Sequence, residues 1–255
     1  MKKNINIFLD HAPKTELLKK FFINGDTFFE TSTIGAMKMS KLKRFLYDAE
    51  ILNKQSKMTT QFFKIIRKIG WYSSTAWALI FINLVYNNSQ IGWYIENLPI
   101  NEMLHRKIIE EKLQQSGMSK KSAQSITRTF KRLCETPLGT SLKIGMTQCK
   151  GKFLSSLKRT NIKINDGRVF LYALYKFAEC SKGRYQFNLS QLMNDSYFEK
   201  VSPQKIFAVD EVEMQQICNG LSTKYPLFLN ATFTHDLEKI SLNSEKTAQD
   251  ILALF

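Results

Sequence analysis

Residues 226–242 read Pro226-Leu-Phe-Leu-Asn-Ala-Thr-Phe233, Thr234-His-Asp236, Leu237-Glu-Lys-Ile-Ser-Leu242. Two apolar runs of strand length flank a polar triplet, which predicts a hairpin with strands at 226–233 and 237–242. Working upstream, 168–180 has the spacing of an amphipathic helix and 185–188 reads as a short strand. Helices follow at 190–194 and 210–221, and another closes the chain at 245–254. Helix, strand, two helices and a hairpin form the element order of a winged helix, so residues 166–255 are predicted to be one. Its reading helix opens Asp210-Glu211-Val212-Glu213, a poor surface for phosphate. This module is therefore expected to dock protein rather than DNA.

Further upstream the pattern is helical. Trp77-Ala-Leu-Ile-Phe-Ile-Asn-Leu-Val-Tyr86 is apolar nearly all round and predicts a buried central helix. Before it, Ile34, Met37, Leu42, Phe45, Leu46 and Ala49 recur at helical spacing, and Thr59 or Thr60 caps a helix over 61–69. Residues 1–98 thus have the order of a small helix-turn-helix unit. Pro99 opens a basic helical unit, 99–165, with a helix over 102–115 that ends near Gly117. Ser119 then caps a helix running to Cys134, whose core stripe is Ala123, Ile126, Phe130 and Leu133. The expected fold class is mainly α with short β-hairpins, built from tandem winged-helix or helix-turn-helix-like units.

Charge is the informative quantity. Among 255 residues, 37 Lys+Arg against 22 Asp+Glu give +15, which points to a polyanionic partner, nucleic acid first. The excess is uneven: residues 118–184 hold 15 basic and 3 acidic residues, whereas 201–255 hold 4 and 7. Solubility alone does not require such lopsidedness. Phosphate contacts are therefore expected from Lys38, Lys41 and Arg44 on the first basic helix and from Lys120, Lys121, Arg128, Lys131 and Arg132 on the second. Lys158 and Arg159 complete the set.

Other chemistry is narrowed by what the chain lacks. Neither G-x-G-x-x-G nor G-x-x-x-x-G-K-[ST] occurs, so no nucleotide cofactor is expected. Cys134, Cys149, Cys180 and Cys218 are irregularly spaced and read as four buried, reduced thiols. His11, His105 and His235 are isolated in sequence and read as ordinary histidines. Residues 1–10 carry no apolar run of signal-peptide length, and 77–86 is too short to span a bilayer, so a cytoplasmic protein without a membrane partner is expected. Metal-assisted phosphodiester chemistry needs converging carboxylates. The candidates are Asp210, Glu211 and Asp236, with His235 as proton carrier and Mg²⁺ or Mn²⁺ as the ion. The competing reading is structural: Asp210 and Glu213 have capping-box spacing, and His235-Asp236 suits a turn.

Several segments resemble one bacterial family, a domain of uncharacterised function encoded beside PAPS-reductase-like genes in phage-defence clusters. The similar segments are Thr33-Ile-Gly-Ala-Met-Lys-Met-Ser-Lys-Leu-Lys-Arg-Phe-Leu-Tyr-Asp-Ala-Glu-Ile-Leu52, Glu135-Thr-Pro-Leu138 and Ser202-Pro-Gln-Lys-Ile-Phe-Ala-Val-Asp-Glu211. Many members carry a histidine beside Glu-Thr-Phe, where this chain has Gly25-Asp-Thr-Phe-Phe-Glu-Thr31. The resemblance implies the DNA-binding and nicking subunit of a single-strand phosphorothioation system. Such a subunit works with an ATPase, a PAPS-reductase-like enzyme and a cysteine desulfurase. The alternative is a non-catalytic winged-helix adaptor or transcription regulator.

Overall fold

The computed structural model describes residues 13–194, 199–234 and 237–255. Residues 1–12, with His11 among them, and the candidates His235 and Asp236 lie outside the described residues. The chain is mainly helical with two small antiparallel sheets, and it divides into two compact units, Met1–Asn161 and Ile162–Phe255. The expected units 1–98 and 99–165 both contribute to the first of these. No helix among the described residues is long and apolar enough to cross a membrane.

The first unit opens with α1 (Thr15–Asn24), α2 (Phe28–Thr31), α3 (Ala36–Asp48), α4 (Gln61–Ile69), α5 (Ser74–Asn87) and α6 (Ser89–Asn97). Thr60 caps α4, its hydroxyl accepting from the Phe63 N–H. α5 is buried from Ala76 to Val85, and its one interior amide, Asn83, donates to the Ala49 carbonyl at 3.1 Å. That bond removes the penalty of burying an amide in an apolar helix. Phe21, Phe22 and Phe63 meet at ring separations of 5.5–6.0 Å, and Trp71 stacks on Phe22 at 5.6 Å. Aromatic burial of this kind contributes about 2 kcal/mol or more per ring.

A second layer follows: β1 (Met103–His105), α7 (Arg106–Gln115), α8 (Lys120–Cys134), α9 (Pro137–Thr140), β2 (Gly145–Lys150) and β3 (Phe153–Arg159). The predicted helix 102–115 therefore begins four residues late, at Arg106, because Met103–His105 pairs with β3 as a strand. The sheet order is β1-β3-β2, with the last strand in the centre. Leu104 faces Leu157 on the inward side, while Met103, Lys158 and Met146 form an outward row. Residues 93–94 fasten this layer to α6. Trp93 stacks on Phe130 at 5.9 Å, and the buried Tyr94 hydroxyl donates to the Ile144 carbonyl at 2.9 Å. Burial, reinforced by Cys134, pushes the Tyr94 phenol well above its usual range.

The second unit consists of α10 (Gly167–Cys180), β4 (Gln186–Asn188), α11 (Leu189–Met193), α12 (Pro203–Phe207), α13 (Glu211–Lys224), β5 (Leu229–Thr234), β6 (Leu237–Leu242) and α14 (Ala248–Leu252). Its sheet order is β4-β6-β5, so strand, helices, then a hairpin whose second strand is central occurs twice in the chain. The predicted strand 226–233 starts later than expected, because residues 226–228 form a turn in which Phe228 N–H donates to Tyr225 O. Phe170 packs on Phe207 at 5.2 Å and Phe177 on Phe187 at 5.5 Å. Arg168 clasps the chain end, bonding Asp166 and the Leu254 carbonyl and lying 4.2 Å from the Phe255 ring.

Candidate nucleic-acid interface

Division of the charge between the units is sharper than division along the sequence. Residues 1–161 carry 27 basic and 11 acidic side chains, net +16. Residues 162–255 carry 10 and 11, net −1. All of the positive excess therefore belongs to the first unit.

Helix α8 is its best-formed basic surface. Ser119 accepts from the Ser122 N–H and starts the helix, and the stripe Ala123, Ile126, Phe130 and Leu133 is buried. Lys120, Lys121 and Arg128 are exposed. Lys121 and Arg128 are seven residues apart, two turns on one face, with Gln124 between them. Lys131 instead turns toward the hairpin: it pairs with Glu135 at 3.2 Å and donates to the Lys152 carbonyl at 3.2 Å.

Arg132 joins Lys38 and Lys41 of α3 around one cavity of about 650 Å³. Lys14 and Lys20 of α1 and its surroundings add cations there, Glu16 and Glu135 add acids, and Leu17, Ile34, Met37 and Leu42 supply apolar lining. Three predicted phosphate-binding residues from helices about ninety positions apart thus share one site.

Two others are placed differently. Arg44 bonds the fully buried Asp48 carboxylate at 3.1 Å, which also accepts from Asn88. Its work is to neutralise a buried acid. Arg159 is 4% exposed and donates to the carbonyls of Ile95 and Leu98 at 2.6 and 3.2 Å. It is corrected from a phosphate ligand to an interior fastener. Lys158, its neighbour on β3, is partly exposed on the outward row.

The acidic candidates also resolve in part. Asp210 accepts from the Glu213 N–H at 2.8 Å, and the Glu213 carboxylate accepts from the Asp210 N–H at 3.1 Å. This capping box starts α13 and occupies an oxygen of each acid, while Glu211 is exposed beside them. Among the described residues no three His, Cys, Asp or Glu side chains converge as a metal cage. The described acids of the predicted set therefore do not fit a metal centre by themselves. Asp210→Asn is expected to leave thermal stability unchanged, whereas Asp210→Ala costs about 1 kcal/mol, read from a urea midpoint. Equal loss in both variants would show that the carboxylate does more than cap.

His105 is the N-cap of α7, its Nδ1 accepting from the Lys107 N–H at 3.3 Å, which is a structural task. Burial pushes the Cys134 and Cys218 thiols up to about 12, Glu135 adding to the effect at Cys134, which leaves them inert. Cys149 is exposed, so the four thiols are not uniformly buried. Sequence reasoning did not select Lys64, Arg67 and Lys68, exposed on α4, or Tyr72, 74% exposed just beyond it. Lys150 and Lys152, which belong to the basic stretch 118–184, lie at the end of β2 and in the β2–β3 turn. An acid-free stretch was the available signal: no Asp or Glu occurs between Glu135 and Asp166.

No protein-family model matches the chain, and no curated protein matches it. Among solved structures it is similar to a magnesium ion-bound crystal structure of SspB, with a TM-score of 0.72 and 12% identity. The match covers 99% of this chain and 87% of that one, and at this identity it is a likeness of fold.

Proposed function

We propose that this chain is the DNA-binding component of a phosphorothioation-type phage-defence system, gripping duplex DNA with its first unit. The observation that carries the reading is one topology used twice with opposite charge. α8 opens Lys120-Lys121, and its counterpart α13 opens Glu211-Val212-Glu213. In this reading 99–165 and 166–255 are two winged-helix modules, and 1–98 is the helical layer that packs on the first of them. The first module takes α8 to a groove, and the second offers α13 to a protein partner such as a PAPS-reductase-like or ATPase subunit. The family resemblance and the fold likeness to SspB both support it.

Binding of this kind is dominated by counterion release. Fluorescence anisotropy on a duplex is expected to show affinity falling about a thousandfold between 50 and 200 mM salt, as for roughly six phosphate contacts. Salt-independent binding would refute the proposal.

A second reading, Mg²⁺- or Mn²⁺-dependent nicking of one strand, is favoured by the magnesium-bound state of the similar structure. Its residues would be His235, Asp236, Asp210 and Glu211. Conversion of supercoiled plasmid to open circle, lost in Asp236→Asn, is the expected result. Full activity in both Asp236→Asn and Asp210→Asn would remove these residues from the reaction.

A further inference from the structure

The β2–β3 hairpin ends in an unusual way for this chain. Its last pair is Lys150 opposite Phe153, joined by the two-residue turn Gly151-Lys152. Gly151 sits at φ +59° with open space around it, so the turn is tight and unobstructed. Phe153 is 72% exposed, whereas Phe21, Phe22, Phe45, Phe81, Phe130 and Phe177 are fully buried. The next residue, Leu154, faces inward and is 5% exposed, so the strand's pleat directs Phe153 to the outside. Packing gives no reason for an aromatic ring there.

From these observations we propose that Phe153 is a wedge that enters the minor groove of duplex DNA and unstacks a base step, while Lys150 and Lys152 hold the flanking phosphates. This deepens the DNA-binding reading and rests on it. Apolar side chains flanked by cations perform this task in minor-groove binders, kinking the duplex at deformable steps. The choice of occupant follows from charge and from attachment. The hairpin lies in an acid-free stretch of thirty residues, 136–165. Its turn carbonyl at Lys152 is held by Lys131 of α8, the same helix that exposes Lys121 and Arg128. Tip and helix face are thereby fixed relative to each other, so a helix seated in one groove carries the wedge along the same duplex. Opening a base step is also what a subunit presenting a strand to modifying enzymes must accomplish.

Permanganate reactivity of thymines on an A·T-rich duplex reads unstacking wherever it occurs. The full chain is expected to raise that reactivity on binding. Phe153→Ala should return it to the level of free DNA and weaken binding about tenfold, as for loss of one base–aromatic stack. Phe153→Trp should retain both. The ring is exposed, so the variants are expected to melt like the parent, which a thermal scan verifies. Binding without enhanced reactivity, or enhancement that survives Phe153→Ala, overturns the wedge and leaves the DNA-binding reading standing. Absence of any duplex binding by the parent chain overturns both. Co-sedimentation with anionic vesicles that requires Phe153, alongside DNA affinity that does not, reassigns the tip to a lipid surface and also overturns the wedge.

Discussion

Replacing Lys121 and Arg128 together by glutamate is expected to weaken duplex binding about a hundredfold near 0.1 M salt, equally for every sequence tested. Both side chains are exposed, two turns apart on α8, and opposite the stripe that packs on Trp93 and Tyr94. Reversal removes two phosphate contacts and adds two repulsions. The slope of log affinity against log salt should fall in magnitude by about two, because each lost contact removes close to one released counterion. Glu211→Ala on α13 serves as the matched control and should leave both quantities unchanged. If the double reversal is silent, α8 is not the contact helix, and the α4 surface of Lys64, Arg67 and Lys68 becomes the first place to look.

Arg159→Met is expected to cost about 3 kcal/mol of stability, the effect of leaving two buried carbonyls without their charged donor. Arg159 lies in the interior, where its guanidinium meets the backbone of Ile95 and Leu98. Lys158→Met, one residue away on the outward row, should change stability by no more than about 0.5 kcal/mol and should reduce DNA affinity instead. A shift in the urea midpoint for one and in the salt slope for the other separates the two roles. A stable Arg159→Met protein with weakened DNA binding would contradict the fastener assignment.

That pair also shows where the sequence stops being legible. Lys158 and Arg159 are adjacent cations, and only the register of β3 decides which one faces inward. Register depends in part on pairing with β1, as Met103 with Lys158 and His105 with Ser156, which no local pattern encodes. The same holds for β1, whose Met103 and Leu104 fit the helical spacing of Ile108, Ile109 and Leu113 well enough to be read as one helix. β2, Gly-Met-Thr-Gln-Cys-Lys, has little burial and hence no alternation to detect. Helices were easier. Thr60 before α4, Ser119 before α8 and Asp210 with Glu213 at α13 each announce themselves by capping chemistry that acts within four residues. The basic helix α8 could be found because amphipathicity is local. The cavity uniting Lys38, Lys41 and Arg132 could not, because it is made by packing between distant helices.

The link from α6 to the β1–β3 layer has a consequence for how the first unit comes apart. Trp93 and Tyr94 leave their own helix layer to pack on Phe130, and Arg159 returns the favour by holding the carbonyls that end α6. Neither layer keeps its interior without the other. Separation at Pro99 would expose the ring of Phe130 on one side and strand the Tyr94 hydroxyl on the other. Local opening of this kind is costly, so α6, α8 and β3 behave as a single cooperative block in which backbone amides exchange with solvent together. Loosening is thereby confined to surfaces outside the block, while α8 and the hairpin turn that Lys131 ties to it keep their relative placement.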